Sequence, residues 1–128
     1  MQDRVLVVDD DRAIRELIAR VAAHTGNRVL RAETTEQALD LLTAEPVDLV
    51  LTDLGMPGTG GLQLLAKLST LPAPPAVVVV TACDEGGALR AARLLGARRI
   101  VHKPFSLDEL REAIAGALRH PEPLPAAA

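Results

Sequence analysis

The chain has 128 residues and almost no aromatic side chains: Phe105 stands alone, with no Trp and no Tyr. Base stacking and flavin stacking both need aromatic platforms, so neither chemistry has a surface here. A basic excess is also missing. Fourteen Lys and Arg face seventeen Asp and Glu, a formal net charge of −3. That balance argues against direct nucleic-acid binding by this domain. Cysteine is nearly absent, and the single Cys83 rules out an intramolecular disulfide or a multi-cysteine zinc site. The opening Met1-Gln2-Asp3-Arg4 runs straight into a four-residue apolar stretch, too short for a signal core. Together these imply a reducing, cytoplasmic setting. No apolar run approaches the ~20 residues that span a bilayer, so no membrane association is expected.

Hydrophobic residues make up 48% of the chain, enough for a packed core in one domain. Their spacing reads as five strand–helix repeats. Residues 5–8 are continuously aliphatic, as in a strand buried on both faces. Ile14, Leu17, Ile18 and Val21 then recur at helical spacing, with Gly26 placed as a C-terminal stop. Residues 28–32 form a weakly marked second strand. Thr34 and Gln37 make a capping box ahead of a helix carrying Ala38, Leu39, Leu41 and Leu42. A third strand is predicted over 47–52, a helix over 62–71, and a fourth strand over 76–81 with four consecutive valines. Residues 89–95 read as a helix with a poorly polarised apolar face, ended by Gly96, and 100–102 as a fifth strand. Ser106 and Glu109 cap a last helix carrying Leu110, Ile114 and Leu118. The domain is expected to occupy 1–119, and 120–128, rich in Pro and Ala, to be a tail or the start of a linker.

Strict alternation with short connections implies a parallel sheet covered by helices on both faces, with the functional site beyond the carboxyl ends of the strands. The first strand ends in Asp9, Asp10 and Asp11, the third in Asp53, the fourth in Thr81 and the fifth in Lys103-Pro104. Asp11 suits the N-cap of the first helix. The remaining carboxylates repel one another unless a cation or a proton intervenes. Oxygen-only ligands favour a hard ion, and Mg²⁺ tolerates a partly hydrated site. Carboxylate, divalent cation, hydroxyl and ammonium together suit transfer of a phosphoryl group to a carboxylate.

With these residues in view, the chain resembles the receiver domains of two-component response regulators over about residues 4–119. Asp9-Asp10 match the acidic pair, Asp53-Leu54-Gly55-Met56-Pro57 the phosphoacceptor segment, Thr81-Ala82 the switch threonine and its small neighbour, and Lys103-Pro104-Phe105 the lysine with its following proline. The resemblance implies a flavodoxin-like (βα)5 three-layer α/β sandwich with a parallel five-stranded sheet in the order 2-1-3-4-5. It also implies Mg²⁺-dependent phosphorylation of Asp53 by a sensor histidine kinase, followed by a switch that controls an output partner or a linked output domain. In that scheme Asp10 is the more direct metal ligand and Asp9 holds the metal partly through water. The Gly55 backbone carbonyl and Asp53 complete the metal ligands, and Thr81 and Lys103 bind the phosphoryl oxygens. Such a domain is not a free-standing enzyme, since it catalyses only its own phosphotransfer and slow dephosphorylation.

Three features set beside the family pattern bear on function. Ile100 stands where an aromatic switch residue often precedes the lysine by three, so no ring is there to rotate. Gly55 and Cys83, two positions after the acceptor and the switch threonine, border the path of hydrolytic water and orient it poorly, which implies a long-lived phosphoaspartate. Arg98-Arg99 replace the acidic pair that often precedes the fifth strand in DNA-binding dimers, so a monomer or weak dimer is expected. Two rival readings are a docking module that works without phosphorylation and a Mg²⁺-dependent aspartyl phosphohydrolase. The first is opposed by the intact set of acids, threonine and lysine. The second is opposed by Gly55, at the position where such enzymes carry a general acid.

Other signals are weaker. The segment 55–62 has the glycine spacing of a nucleotide loop, but Gly61 and Leu62 stand where Lys and Ser or Thr are needed. His24, His102 and His120 are scattered, with no metal-ligand spacing. Cys83 reads as a small semi-buried thiol, and Arg90, Arg93, Arg98 and Arg99 as a solvated basic face or a partner surface.

Overall fold

The computed structural model describes residues 2–56 and 60–119. The tail expected over 120–128, with His120, and Pro57 of the acceptor segment lie outside the described residues. Five strands and five helices alternate: β1 (Arg4–Val8), α1 (Arg12–His24), β2 (Arg28–Ala32), α2 (Thr35–Ala44), β3 (Leu49–Thr52), α3 (Gly61–Leu68), β4 (Ala76–Thr81), α4 (Gly86–Leu94), β5 (Ala97–His102) and α5 (Leu107–Arg119). All four strand pairings are parallel, in the order β2-β1-β3-β4-β5.

Period-two alternation of the aliphatic strands feeds two cores. Val5, Val7, Leu51, Val78 and Val80 point to one face and pack on Ile18 and Ala22 of α1 and Leu110 and Ile114 of α5. Leu6, Val8, Val50, Val77 and Val79 point to the other and pack on Ala38 of α2, Leu64, Leu65 and Leu68 of α3, and Ala92 of α4. This is the expected three-layer sandwich. Each such Val or Leu taken from water contributes roughly 1.5–3 kcal/mol before entropy is counted. The central strands are aliphatic apart from Arg4 at the start of β1 and the threonines that end β3 and β4, while both edge strands carry two arginines each, Arg28 and Arg31 on β2 and Arg98 and Arg99 on β5.

The local signals act as expected. Asp11 caps α1 through the Ile14 N–H at 3.2 Å. Thr34 accepts from the Gln37 N–H at 3.1 Å, and the Gln37 amide reaches back to the Glu33 N–H at 2.9 Å. Ser106 accepts from the Glu109 N–H at 3.0 Å. Gly26 and Gly96 follow α1 and α4 at φ of 90° and 106°, the left-handed conformation that closes helices. Some boundaries differ. Helix α3 ends at Leu68 rather than 71, because Ser69 and Thr70 turn their hydroxyls onto the Ala66 and Lys67 carbonyls. Strand β3 starts two residues later than predicted. Strand β5 starts at Ala97 rather than 100, and helix α4 begins at Gly86 and buries only Ala92.

Candidate functional site

The parallel topology brings the carboxyl ends of β1, β3, β4 and β5 to one end of the sheet. Asp9 follows β1 directly and is 1% exposed. Its N–H continues the ladder onto the Ala32 carbonyl at 3.1 Å, and its Oδ1 accepts from the Asp11 N–H at 2.9 Å. Asp10 is exposed beside it. Asp53 follows β3, with its N–H on the Val8 carbonyl at 3.3 Å. Lys103, fixed by its own N–H on the Thr81 carbonyl at 2.9 Å, sends Nζ between the two acids and lies 2.9 Å from both Asp9 Oδ2 and Asp53 Oδ2. The bond from Lys103 to Pro104 is cis.

Asp53 is the better-supplied carboxylate. Its Oδ1 accepts from the Gly55 N–H at 3.1 Å, and the Thr81 hydroxyl donates to it as well. Burial alone would push Asp53 up, but the bonds from Thr81, Gly55 and Lys103 outweigh it and hold the carboxyl below its ordinary value. At Asp9 burial outweighs Lys103 and the Asp11 N–H, and the carboxyl is raised. Burial would lower Lys103, yet the two carboxylates win and its ammonium titrates above the ordinary lysine range. Asp53 is thus the one of these two acids whose charged form its surroundings favour.

Carboxylate oxygens of Asp9, Asp10 and Asp53 lie within 4.8 Å of one another. An all-oxygen set of that size, with one exposed member and an opening to solvent, fits a hard divalent cation that keeps part of its water shell. Lys103 supplies one positive charge against three carboxylates, so a further cation is electrostatically accommodated.

The residues singled out from the sequence for the chemistry, Asp9, Asp10, Asp53, Gly55, Thr81 and Lys103, therefore share this end of the sheet. Thr81 is buried, and its Oγ1 accepts from the Cys83 N–H at 3.1 Å, placing the half-buried Cys83 beside the site. Ile100 packs on the α3–α4 side of the sheet, and Phe105 on the α1–α5 side. Two contributors escape sequence reading. A Cβ at Gly61 would overlap the Asp53 carbonyl oxygen and come within 2.9 Å of Leu54 Cα, so only glycine lets α3 start against the acceptor segment. Arg15 donates from Nη1 to the Asp9 carbonyl at 3.0 Å. The glycine spacing noted over 55–62 could have flagged Gly61. A lone helical arginine carries no such signal.

The family model for the response regulator receiver domain matches residues 5–115. The chain belongs to this family. Among curated relatives, the receiver is 35% identical over 114 residues to sporulation initiation phosphotransferase F of Bacillus subtilis, covering 89% of this chain and 92% of that protein. It is 36% identical over 123 residues to response regulator MprA of Mycolicibacterium vanbaalenii, covering 96% of this chain but 53% of the relative. The receiver thus spans nearly all of the first and about half of the second. Among solved structures, a CheY-like response regulator receiver domain protein from Methanospirillum hungatei JF-1 superposes with a TM-score of 0.88 at 28% identity, covering 93% of this chain and 95% of that one. Among the described residues no helix is long and apolar enough to cross a membrane.

Proposed function

We propose that this receiver takes a phosphoryl group onto Asp53 from the phosphohistidine of a sensor histidine kinase. The observation that carries the reading is Lys103 bridging Asp53 and Asp9 at 2.9 Å each, with Asp10 completing an acidic set on the open side. An Asp53 carboxylate oxygen attacks phosphorus, an O–P bond forms, the P–N bond breaks, and the imidazole nitrogen leaves with the electron pair and takes a proton. Lys103 and the Thr81 hydroxyl then meet the phosphoryl oxygens, because both already reach the Asp53 carboxylate. Asp9, Asp10, Asp53 and the Gly55 carbonyl would hold Mg²⁺, which when bound supplies positive charge to the transferring group.

The domain turns over no separate substrate in this reading. It acts in the cytoplasm as a monomer or weak dimer, and it hands its state to an output partner or linked domain. Incubation with acetyl phosphate and Mg²⁺ should add one phosphoryl mass to the intact protein. Asp53→Asn should add none, and retention of the added mass by that variant would sink the assignment. Absence of modification in the wild type would favour the docking module that works without phosphorylation.

A further inference from the structure

We propose that Arg15 is a positioning residue for the metal-binding acids. The inference rests on the Mg²⁺-dependent reading above. Asp9 leaves the sheet at the end of β1, so its N–H still has the Ala32 carbonyl but its own carbonyl has no ladder partner. A buried carbonyl needs a donor, and Arg15, one turn into α1, supplies it at 3.0 Å with a side chain only 14% exposed.

The guanidinium is itself anchored. Its Nε lies 3.9 Å from Glu16 Oε2, and Glu16 takes Nε of Arg31 on both oxygens, at 3.1 and 2.9 Å. Arg31 precedes Ala32 in β2, whose carbonyl holds the Asp9 N–H. The contacts form a closed ring: Asp9, Ala32 and Arg31, Glu16, Arg15, and back to Asp9. Both backbone polar groups of Asp9 are tied within it. The carboxylate, oriented by the Asp11 N–H, is aimed from a fixed backbone, and Asp10 takes its direction from the same peptide unit. Groups that orient metal ligands without touching the metal commonly set its affinity.

The test compares wild type, Arg15→Met and Arg15→Lys. Half-saturating Mg²⁺ is read by calorimetry and by melting across Mg²⁺ concentrations, and the acetyl phosphate reaction rate is followed over the same range. Arg15→Met should raise half-saturating Mg²⁺ about tenfold, with the rate at saturating Mg²⁺ close to the wild-type value. Arg15→Lys should recover part of the affinity, since an ammonium can still donate to the carbonyl. A melting temperature that falls in chelator while half-saturation stays unchanged marks a purely structural arginine and overturns the proposal. So does a loss of saturating rate at unchanged half-saturation. Should Arg15→Met fail to fold, Glu16→Gln, which weakens the link between Arg15 and Arg31, should show a smaller rise, and an unchanged value there overturns it equally. A wild type that ignores Mg²⁺ would bring down the underlying reading and the inference with it, an outcome distinct from a normal wild type with a silent Arg15→Met.

Discussion

Lys103 bridges two carboxylates with one positive charge, and its removal has a calculable sign. Its raised pKa contributes stability that is present below the ordinary lysine value and lost only as pH rises through the higher folded value. Asp53, held low, contributes stability above the ordinary carboxyl value that is lost as pH falls through its lower folded value. Ionised Asp9, raised, costs stability, and protonation relieves that cost. Lys103→Met leaves both acids facing each other without a cation. It should destabilise the metal-free protein at neutral pH by on the order of 3 kcal/mol. The gap to wild type should narrow on acidification toward about pH 4, as the variant's carboxyls take up protons sooner; melting curves across pH check this. A gap that widens would contradict the assignment of Lys103 as their counter-ion. The hydrolytic side of the site is equally specific. A Cβ at Gly55 would sit 3.8 Å from Asp53 Oδ1, so an amide there borders the acceptor oxygen. Gly55→Asn and Cys83→Glu should each speed loss of the phosphoryl group by aligning water, and the double variant should be fastest. Decay of the phosphorylated protein after donor removal, at constant Mg²⁺, measures it.

At the scale of elements, two helical glycines should answer the same substitution with opposite signs. Gly116 lies inside α5 with open space for 4 Å around the position a Cβ would take, so Gly116→Ala should stabilise by roughly 0.5–1 kcal/mol through helix propensity and chain entropy. Gly61→Ala instead forces α3 off the Asp53–Leu54 backbone, and should both lower the melting temperature and slow phosphorylation. Helix α4 buries only Ala92 and has no side-chain cap, so its amides should exchange faster than those of α1 or α5. These elements also show what could be read in advance. β1, β4, the caps at Asp11, Thr34 and Ser106, and the stops at Gly26 and Gly96 are written in local residue types, so the strand-end site assembled from them was legible. The start of β5 was not, because Arg98 and Arg99 break the apolar run at a half-solvated edge. Arg15 was illegible for another reason: its role depends on the Asp9 backbone carbonyl, which no side-chain pattern announces. Gly61 was signalled only by the glycine spacing over 55–62, because its role is a close approach to the Asp53 and Leu54 backbone.

For the molecule as a whole, Mg²⁺ held by these acids would act by mass action on the folded state. At about ten times its dissociation constant it should add about 1.4 kcal/mol, visible as a rise of a few degrees in melting temperature over the chelated protein, and a flat response would contradict a metal site. The strand order has a different consequence, for synthesis. β1 is made first and ends inside the sheet, pairing with β2 on one side and then with β3 on the other; β4 and β5 join in the order they are made, each on the edge left by the last. From β3 onward a chain emerging from the ribosome can therefore extend its sheet in one direction without undoing earlier pairings. The aliphatic edges of β3 and β4 stand open only until the next strand arrives. The finished sheet is closed by strands bearing Arg28, Arg31, Arg98 and Arg99, so a second nascent chain meets charge instead of an inviting edge.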